Sequence, residues 1–381
     1  MELQSILVLF EYETLNGGER SFLATLDHVC RAGLRIIAAA PQRGPLFEQL
    51  QRLNVETVAW DVHEPGLPQR QQSQLREDLR RLILHVGPDL VHSNSLAMSR
   101  LVGPVATDCQ TLSIGHVRDI VGLSRKAICD VNQNNRLLFV SWATCHFHVA
   151  RGIDGTKSYV VHNGITPSRP DSIATDLKKS LNIQPQVRLI GFVGQIGMRK
   201  GIDRLLAACE PVFSNLNDVK LLIVGERFSR KDEAVDHEQD LRDRSNREPL
   251  AGRVHWLGWR DDVPEILTSL DLLVHPARQE PFGRVLLEAA SLGVPVVATD
   301  VGGTRELFGR GGGRIVDPNS LDHLSSAIST VLANPAEAAL TASRAGSRVA
   351  RLFSATRAAG KLVRHYSQCI KGKVHGRGRK M

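Results

Sequence analysis

The sequence predicts an α/β protein made of two doubly wound domains, each with a parallel sheet. With 381 residues the chain is longer than one ordinary core accommodates, so two domains are expected. Short apolar runs alternate with helical patterns through both halves, which is typical of a parallel sheet covered on both faces. Between residues 162 and 186 this alternation lapses into an Asn-Gly pair and three prolines, which indicates a linker.

The first domain is predicted over residues 1–168. Its apolar runs predict seven strands, at residues 5–10, 35–40, 55–60, 88–92, 111–116, 137–141 and 158–162. Helical patterns follow the first four strands, ending near residue 31 and covering 46–53, 71–86 and 96–106. In such a domain ligands bind beyond the carboxyl ends of the strands, so the loops at those ends are where functional residues are expected.

The second domain is predicted over residues 169–354. Its strands are expected at residues 187–193, 219–224, 254–257, 271–276, 293–299 and 314–316. Its helices are expected at residues 201–213, 231–247, 263–269, 284–292, 321–332 and 336–351. A last helix, about 355–370, could pack back on the first domain, and residues 371–381 are expected to form a disordered basic tail.

The amino-acid composition argues against several classes of protein. No apolar run approaches the roughly 20 residues of a membrane span, and the N-terminus reads as a first strand instead of a signal peptide. Six cysteines without a CxxC pair favour a reducing cytoplasm. The net charge is +8, and the basic tail could touch an anionic membrane surface at its inner face or be a solvated terminus. With 5% aromatic residues, specific nucleic-acid binding is not expected.

Glycine turns follow several predicted strands and precede helices. These turns contain Gly17-Gly18, Gly194, Arg199-Lys200-Gly201 and Gly302-Gly303. Glycine lets a ligand approach backbone N–H groups at a helix start, where an anion is favoured. Cations such as Arg199 and Lys200 oppose the helix dipole there, which makes sense if an anion lies between them and the N–H groups. Taken singly, each turn could be simple turn chemistry.

Two carboxylates flank the start of the helix predicted at 284–292. Glu280 precedes it and Glu288 lies on its second turn, with Gly283 between them. Glu280 could complement the helix dipole alone, and Glu288 could be an ordinary exposed position. Apolar residues surround Glu288, however, and a carboxylate in that setting usually has a specific partner. His116 ends a strand of the first domain; a lone histidine is more often structural, but this end of the strand is where ligands are expected.

These motifs occur together and in a fixed order. The set comprises Gly17-Gly18-Glu19, Arg199-Lys200-Gly201, Glu280-x7-Glu288, Pro281-Phe-Gly283, Gly293-Val-Pro-Val-Val-Ala298 and Gly302-Gly303-x-x-Glu306. In this combination the sequence resembles the retaining glycosyltransferases of the GT-B fold, family 4. The resemblance is dense from about residue 160 to residue 328 and sparse before that.

The resemblance implies two Rossmann-like domains facing an interdomain cleft, with a nucleotide sugar held mainly by the second. It implies catalytic roles for His116 near the transferred sugar, Lys200 at the diphosphate and Glu280 facing the sugar. The donor-binding residues that it implies are Gly17, Gly18, Arg199, Lys200, Gly283, Glu288, Gly302 and Gly303. Neither a cofactor nor an obligatory metal is implied. The substrates would be a GDP-, UDP- or ADP-sugar and a saccharide or lipid-linked acceptor, in cell-envelope, polysaccharide or glycolipid synthesis.

One position departs from the family pattern. Many members carry an arginine directly after the glycine at 194, and here that residue is Gln195. Arg199 could supply the missing charge, or stabilisation of the leaving group is weaker. Two other readings stay open: a sugar-nucleotide epimerase, which shares the architecture and needs no acceptor, and a non-enzymatic protein that binds anionic surfaces through its basic face.

Overall fold

The computed structural model describes residues 4–63, 70–166 and 177–377. Within it the chain divides into two compact units by its internal contacts. Unit 1 is formed by Met1–Ile165 together with Ser354–Met381, and unit 2 by Thr166–Phe353. Among the described helices, none is both long and apolar enough to cross a membrane.

Unit 1 contains a seven-stranded sheet in which every neighbouring pair is parallel. Its strands are β1 (Gln4–Leu9), β2 (Leu34–Ala40), β3 (Glu56–Ala59), β4 (Leu90–Ser93), β5 (Leu112–Val117), β6 (Arg136–Phe139) and β7 (Ser158–Val160). The strand order is β3-β2-β1-β4-β5-β6-β7. Consecutive strands run outward from β1 in one direction and from β4 in the other, so the order reverses between β1 and β4. In open α/β sheets this switch point is where ligands bind.

Helices cover both faces of this sheet. They are α1 (Gly17–Arg31), α2 (Gly44–Arg52), α3 (Gln72–Val86), α4 (Leu96–Asp108), α5 (Arg125–Asn132) and α6 (Trp142–Val149). The sequence pattern does not predict α5 and α6, because each spans eight residues and is too short to show a clear apolar stripe. A start signal was present for both: Ser124 and Ser141 cap them by accepting hydrogen bonds from the backbone N–H groups of Ala127 and Thr144.

Unit 2 repeats the architecture with a six-stranded parallel sheet. Its strands are β8 (Arg188–Val193), β9 (Val219–Val224), β10 (Val254–Gly258), β11 (Leu272–His275), β12 (Val296–Thr299) and β13 (Arg314–Val316), in the order β10-β9-β8-β11-β12-β13. Its helices are α7 (Leu177–Ser180), α8 (Ile202–Asn215), α9 (Asp232–Ser245), α10 (Val263–Thr268), α11 (Arg284–Ser291), α12 (Thr304–Phe308), α13 (Leu321–Ala333) and α14 (Pro335–Leu352). The switch point lies between β8 and β11.

The last helix, α15 (Ala355–Arg377), belongs to unit 1. It packs on α1 and buries Leu362, Tyr366 and Cys369 in the same core as Phe22 and Val29. Its apolar residues therefore complete a core whose other members lie in the first 165 residues of the chain.

The helix also extends further than the sequence predicts. A disordered tail is expected from residue 371, whereas α15 continues to Arg377. Lysine is a good helix former, and a cation near a helix C-terminus interacts favourably with its dipole, so Lys371 is compatible with the extra turns. Residues 378–381 and the side chains from residue 373 onward lie outside the described part of the chain, as does the predicted contact of this tail with an anionic membrane surface.

Candidate functional site

In unit 2 the predicted site residues follow the two strands at the switch point. The loop after β8 carries Arg199 and Lys200, and the loop after β11 carries Glu280 and Gly283. The two loops lie against each other because β8 and β11 are paired neighbours, with Ile190 opposite Leu272. Residues about 80 positions apart are thereby brought together at one edge of the sheet.

Gly201 makes the close approach of these loops possible. Its φ is +71°, in the left-handed region that side chains rarely adopt. A Cβ atom at this position would lie 2.1 Å from the carbonyl oxygen of Pro276, in the loop after β11. The backbone N–H of Arg278 donates to the carbonyl oxygen of Arg199 at 2.8 Å, which joins the loops on the other side of Lys200. Only glycine fits at residue 201.

The side chain of Arg278 also joins the loop after β11 to the loop after β8, and no sequence motif pointed to this arginine. Its guanidinium donates to both carboxylate oxygens of Asp203, at 2.7 and 2.6 Å, and to the carbonyl oxygen of Met198 at 2.9 Å. This contact ties the loop to the first turn of α8. The side chain of Arg199, by contrast, is exposed, and its backbone carbonyl is what the structure uses.

The centre of the arrangement is a buried ion pair. Lys200 Nζ lies 2.5 Å from Glu280 Oε2, and the two side chains are 12% and 7% exposed. His275 Nε2 lies 2.8 Å from the same oxygen and its side chain is 1% exposed. Both contacts are made to Oε2, so Oε1 is engaged by neither of them. Lys200 and Glu280 are predicted as site residues from the sequence, whereas His275 is predicted there only as part of the buried strand at residues 271–276.

Opposing effects set the protonation states in this cluster. Burial raises the pKa of Glu280, but Lys200 and the hydrogen bond from His275 outweigh it and hold that pKa well below its usual range. Burial lowers the pKa of His275 more than Glu280 raises it. At neutral pH the cluster therefore contains an ionised Glu280 and a neutral His275 whose Nε2–H donates to the carboxylate.

The helix α11 begins at this point without a side-chain cap. Its N-cap residue is Gly283, with φ +82°, which has no side chain to cap the first turn. Such a helix start presents N–H groups and a positive dipole end that favour an anion. One turn further on, Glu288 accepts a hydrogen bond from Arg284 Nε at 2.8 Å. This is the specific partner that the apolar surroundings of Glu288 indicated.

The glycine turn after β12 braces the Glu280 loop. The backbone N–H of Gly303 donates to the carbonyl oxygen of Glu280 at 3.1 Å. A Cβ atom at Gly303 would lie 2.6 Å from the carbonyl oxygen of Pro281, and Gly302 has φ +53°. The backbone N–H of Gly303 is thus used to hold the loop that carries Glu280, and the donor-binding role that the resemblance implies for Gly302 and Gly303 stays a prediction.

In unit 1 the predicted residues lie at the switch point between β1 and β4 or one strand away from it. Gly17 and Gly18 begin α1 after β1, and His116 is buried near the end of β5. A Cβ atom at Gly18 would lie 3.0 Å from Arg118 Cδ, so this helix start is in contact with the loop after β5. Arg118 in turn lies 3.2 Å from His116 Nδ1 through its Nη2 atom.

His116 is part of a buried chain of aromatic side chains. His92 Nε2 lies 3.3 Å from His116 Nδ1, and the hydroxyl oxygen of Tyr366 lies 2.6 Å from His92 Nδ1. Burial lowers the pKa of His92 to about 3, and burial together with Arg118 holds the pKa of His116 well below its usual value. Both rings are neutral at pH 7. The sequence gave no reason to connect Tyr366 with this strand end.

Buried neutral histidines predict a loss of stability in mild acid. Because the pKa values of His92, His116 and His275 are lowered from 6.5, the unfolded chain binds protons first as pH falls. Their stabilising contribution is fully present above pH 6.5 and decreases below it, by at most about 1.4 kcal/mol per pH unit for each histidine. We expect the melting temperature to fall between pH 7 and pH 5 in a thermal denaturation series.

The variant His275→Asn sharpens this test. Asparagine keeps an N–H donor for Glu280 but does not titrate, so the dependence of the melting temperature on pH should become shallower. The exposed His85 of α3 provides the control variant, His85→Gln. Equal melting temperatures of the wild type at pH 7 and pH 5 would contradict the prediction.

Comparison with known protein families agrees with this arrangement. The family model described as Glycosyltransferase Family 4 matches residues 15–169, and the model described as Glycosyl transferases group 1 matches residues 174–348. The two matches follow one another and together account for most of the chain. This chain belongs to glycosyltransferase family 4. The resemblance to this family that the sequence motifs indicate is thereby confirmed, and retention of anomeric configuration stays a prediction.

Individual relatives of this family 4 chain align over part of it. The lipopolysaccharide core biosynthesis mannosyltransferase LpsB of Rhizobium meliloti is 32% identical over 157 residues, which cover 41% of this chain and 44% of LpsB. The lipopolysaccharide glucosyltransferase WaaG of Escherichia coli is 40% identical over 122 residues, which cover 32% of this chain and 30% of WaaG. The chain thus spans less than half the length of these two relatives.

Solved structures match over almost the whole chain. The structure of HepE from Anabaena in complex with UDP has a TM-score of 0.81 and 22% sequence identity, and covers 96% of this chain and 100% of HepE. At this level of identity the likeness shows the fold. The predicted GT-B fold of this family 4 chain is confirmed.

Proposed function

We propose that this chain transfers a sugar from a nucleoside diphosphate to an acceptor hydroxyl group with retention of anomeric configuration. The observation that carries the proposal is the buried pair of Lys200 and Glu280 beside the uncapped start of α11. A cation and a helix N-terminus suit a diphosphate, and a buried carboxylate next to them suits the hydroxyl groups of the attached sugar.

The chemical step needs stabilisation of a leaving group. The bond between the anomeric carbon and the β-phosphate oxygen breaks, and negative charge grows on the departing diphosphate. Lys200 and the N–H groups at the start of α11 would stabilise that charge, because fixed cations and dipoles in a buried site act without reorganisation. The acceptor oxygen bonds to the anomeric carbon, and its proton passes to the leaving phosphate oxygen. A product with an inverted anomeric centre in its NMR spectrum would contradict retention.

Glu280 would orient the sugar through Oε1, the oxygen that neither Lys200 nor His275 contacts. Oε2 is held by Lys200 and His275, so Oε1 can accept a hydrogen bond from a hydroxyl group. His275 acts as a positioning residue, since its neutral ring fixes the carboxylate without adding charge. When a diphosphate binds, Lys200 would share its three donors between Glu280 and the phosphate oxygens.

Glu288 would accept hydrogen bonds from ribose hydroxyl groups. Its carboxylate is 24% exposed and is oriented by Arg284 on the same helix, which leaves further acceptor positions on its oxygens. The half-buried Gln195 in the loop after β8 brings no charge to the diphosphate. Lys200 and α11 would therefore carry most of the stabilisation in this chain.

The relatives support a nucleotide-sugar donor and a saccharide acceptor. HepE has been crystallised with UDP-glucose, and both LpsB and WaaG are named for transfer in lipopolysaccharide synthesis. We therefore propose an acceptor of the same chemical class, a saccharide that is attached to a lipid or destined for the cell envelope. An epimerase would consume the donor with no acceptor present, which a donor-depletion assay without acceptor detects.

A screen of donors provides the test. We expect at least one of GDP-mannose, UDP-glucose and ADP-glucose to raise the melting temperature of the protein, because a ligand that binds the native state stabilises it by mass action. The variant Glu288→Ala should weaken that binding about tenfold or more, since a hydrogen bond to a charged group contributes roughly 1.5–3 kcal/mol. The measurements are thermal denaturation and titration calorimetry.

Glu238→Ala is the matched control for this variant. Glu238 is also a partly buried helical carboxylate paired with an arginine four residues away, Arg242, at 2.8 Å. Its removal should leave nucleotide-sugar affinity unchanged. If no donor stabilises the wild type more than the Glu288→Ala variant, the assignment of this site to a nucleotide sugar fails.

A further inference from the structure

Tyr12 presents an aromatic ring at the edge of unit 1 where ligands of such sheets bind. It lies in the loop after β1, next to the switch point of the sheet. One face of its ring stacks on the ring of His63, in the loop after β3, with the centroids 5.4 Å apart and the planes 10° from parallel. Because Tyr12 is 44% exposed, the face away from His63 is open to a ligand.

Three carboxylates act on this ring. Burial raises the pKa of the Tyr12 hydroxyl group above its usual range, and Glu11, Asp119 and Glu19 raise it further. They are called the carboxylate cluster below, and they come from the loop after β1, the loop after β5 and the start of α1. Glu11 has the largest effect of the three, and Glu19, which also interacts with Arg118, has the smallest.

Glu11 is held in a fixed position. Its side chain is 10% exposed, and its Oε1 atom lies 3.8 Å from His63 Nε2. Its Oε2 atom accepts a hydrogen bond from Ser95 Oγ at 2.6 Å, and Ser95 is itself fixed as the N-cap of α4. A carboxylate offers about four acceptor positions, so these contacts leave further positions for a ligand.

Two arginines at this edge of the sheet have other partners. Arg43 contacts the carboxylate of Asp61. The three nitrogen atoms of the Arg118 guanidinium donate to the carbonyl oxygen of Asn94 at 3.0 Å, to Asn94 Oδ1 at 2.7 Å and to Asn163 Oδ1 at 2.8 Å. Both guanidinium groups are thus bonded to residues outside the carboxylate cluster.

Asn94 gives a second, independent indication of a ligand. The residue is 1% exposed, and its Nδ2 atom has no hydrogen-bond acceptor within the part of the chain that the structure describes. A buried N–H group without an acceptor is rare in native proteins and calls for a physical reason. Asn94 directly precedes Ser95, which holds Glu11, and its Nδ2 atom would lie 3.9 Å from a Cβ atom at Gly18. The donor therefore faces the start of α1, and a ligand oxygen there would complete it.

These features together fit a polyhydroxylated ligand with a positive charge. The face of an aromatic ring attracts a cation, and neighbouring carboxylates add to that attraction. A hydroxyl oxygen of the ligand would accept from Asn94 Nδ2. A metal ion is a poorer fit, because no group of three or more His, Cys, Asp or Glu side chains within residues 4–63, 70–166 and 177–377 could hold one. A phosphate group would be repelled by the carboxylate cluster.

We propose that unit 1 binds a saccharide that carries a protonated amino group, with the ammonium group at Tyr12 and Glu11 and a hydroxyl oxygen at Asn94 Nδ2. That this saccharide is the acceptor rests on the proposed function, whereas its binding to unit 1 does not. The acceptor is thereby narrowed from a saccharide in general to an amino sugar.

Three methyl glycosides test the requirement for a charge: those of glucosamine, N-acetylglucosamine and glucose. They share one ring shape, and only the first carries a charge at pH 7, where an amine of this kind is mostly protonated. We expect the full chain without nucleotide to bind the glucosamine glycoside about tenfold more tightly than the other two, because only its ammonium group is attracted by the ring and the carboxylates. Ligand-observed NMR titrations measure the three dissociation constants.

The variant Glu11→Gln removes a charge beside Tyr12 and keeps an oxygen that can accept from Ser95. It should reduce the preference for the glucosamine glycoside at least threefold. Glu13→Gln is the matched control, because Glu13 lies in the same loop and contacts Arg43 Nε at 2.5 Å. It should change the preference less than twofold. Thermal denaturation reports that both variants are folded.

Ethanolamine separates an amino sugar from other amines. It carries the ammonium group without the saccharide, and we expect it to compete at least tenfold less effectively than the glucosamine glycoside. Equal competition by the two compounds would overturn the assignment to a saccharide. Equal binding of the three glycosides by the wild type, no binding of any of them, or equal effects of Glu11→Gln and Glu13→Gln would overturn the proposal as a whole.

The donor screen described above distinguishes this inference from the proposed function. If nucleotide sugars bind and the glucosamine glycoside does not, this inference fails and the proposed function stands. If the glycoside binds and no nucleotide sugar does, the proposed function fails, and with it the role of the amino sugar as acceptor.

Discussion

Replacing Lys200 with methionine is expected to lower kcat by a factor on the order of 10²–10³, the range found when one preorganised electrostatic contact is removed from an active site. Methionine is unbranched like lysine but brings no charge to the leaving diphosphate. The affinity for GDP or UDP should fall about tenfold or more, since a charge-assisted hydrogen bond is lost. Steady-state kinetics and titration calorimetry measure the two effects.

The substitution Lys200→Met also removes the partner of Glu280. Lys200→Met removes the cation from a buried carboxylate that His275 also contacts, and breaking a buried ion pair costs about 3–5 kcal/mol of stability. The double variant Lys200→Met/Glu280→Gln removes both charges and should recover much of that stability. The double variant should still bind GDP and UDP more weakly than the wild type does. Glu280→Gln alone should not weaken the binding of these nucleotides.

The nucleotide affinity of the double variant therefore shows whether Lys200 contacts the diphosphate or only neutralises Glu280. If it binds the nucleotides as tightly as the wild type, Lys200 acts only by neutralising Glu280, and its proposed contact with the diphosphate is wrong. Lys220→Met, which removes a lysine that contacts His255 elsewhere in unit 2, controls for the general loss of one positive charge.

The variant Gly201→Ala is expected to destabilise unit 2 by about 2–5 kcal/mol. A left-handed conformation costs a residue with a side chain roughly 1–2 kcal/mol. The added Cβ would lie 2.1 Å from the carbonyl oxygen of Pro276, so the two loops must move apart, which adds a cost of the order seen for overpacked cores, roughly 1–3 kcal/mol. Urea denaturation followed by tryptophan fluorescence measures the change.

Gly252→Ala separates the two contributions. Gly252 has nearly the same φ, +69°, but nothing lies within 4 Å of the Cβ it would carry. Its substitution should cost only the conformational part. Should both substitutions have the same effect, the contact between the loops would contribute nothing, and the assignment of Gly201 as the point of closest approach would be wrong.

Much of the fold could be predicted from the sequence, because the buried strands of a parallel sheet are continuous apolar runs. The strand predicted at 271–276 is β11, Leu272–His275, shorter by one residue at each end. Pro276 has no N–H to donate, and Asp271 uses its carboxylate to accept from the backbone N–H of Leu189. The ends of strands and helices depend on such single contacts, which cannot be predicted from the spacing of apolar residues.

Site residues could be predicted from the sequence only where they belonged to a local motif. Lys200, Glu280 and Glu288 were found because glycine turns and helix starts surround them. His275 was missed because a buried residue in a strand looks the same whether it packs or bonds, and its partner is set by the loop that follows. Tyr366 was missed because it meets His92 across 274 positions of sequence. Contacts at such distances follow from topology and not from spacing.

The placement of α15 in unit 1 has a consequence for the order in which the molecule forms. Unit 2 is one continuous segment of 188 residues, Thr166–Phe353, whereas unit 1 is interrupted by it. A ribosome adding about 5–20 residues per second needs roughly 10–40 s to make that segment. Throughout this time the core of unit 1 lacks Leu362 and Tyr366, and His92 lacks its hydrogen-bond donor. The half of the protein that is synthesised first is therefore the half that is completed last.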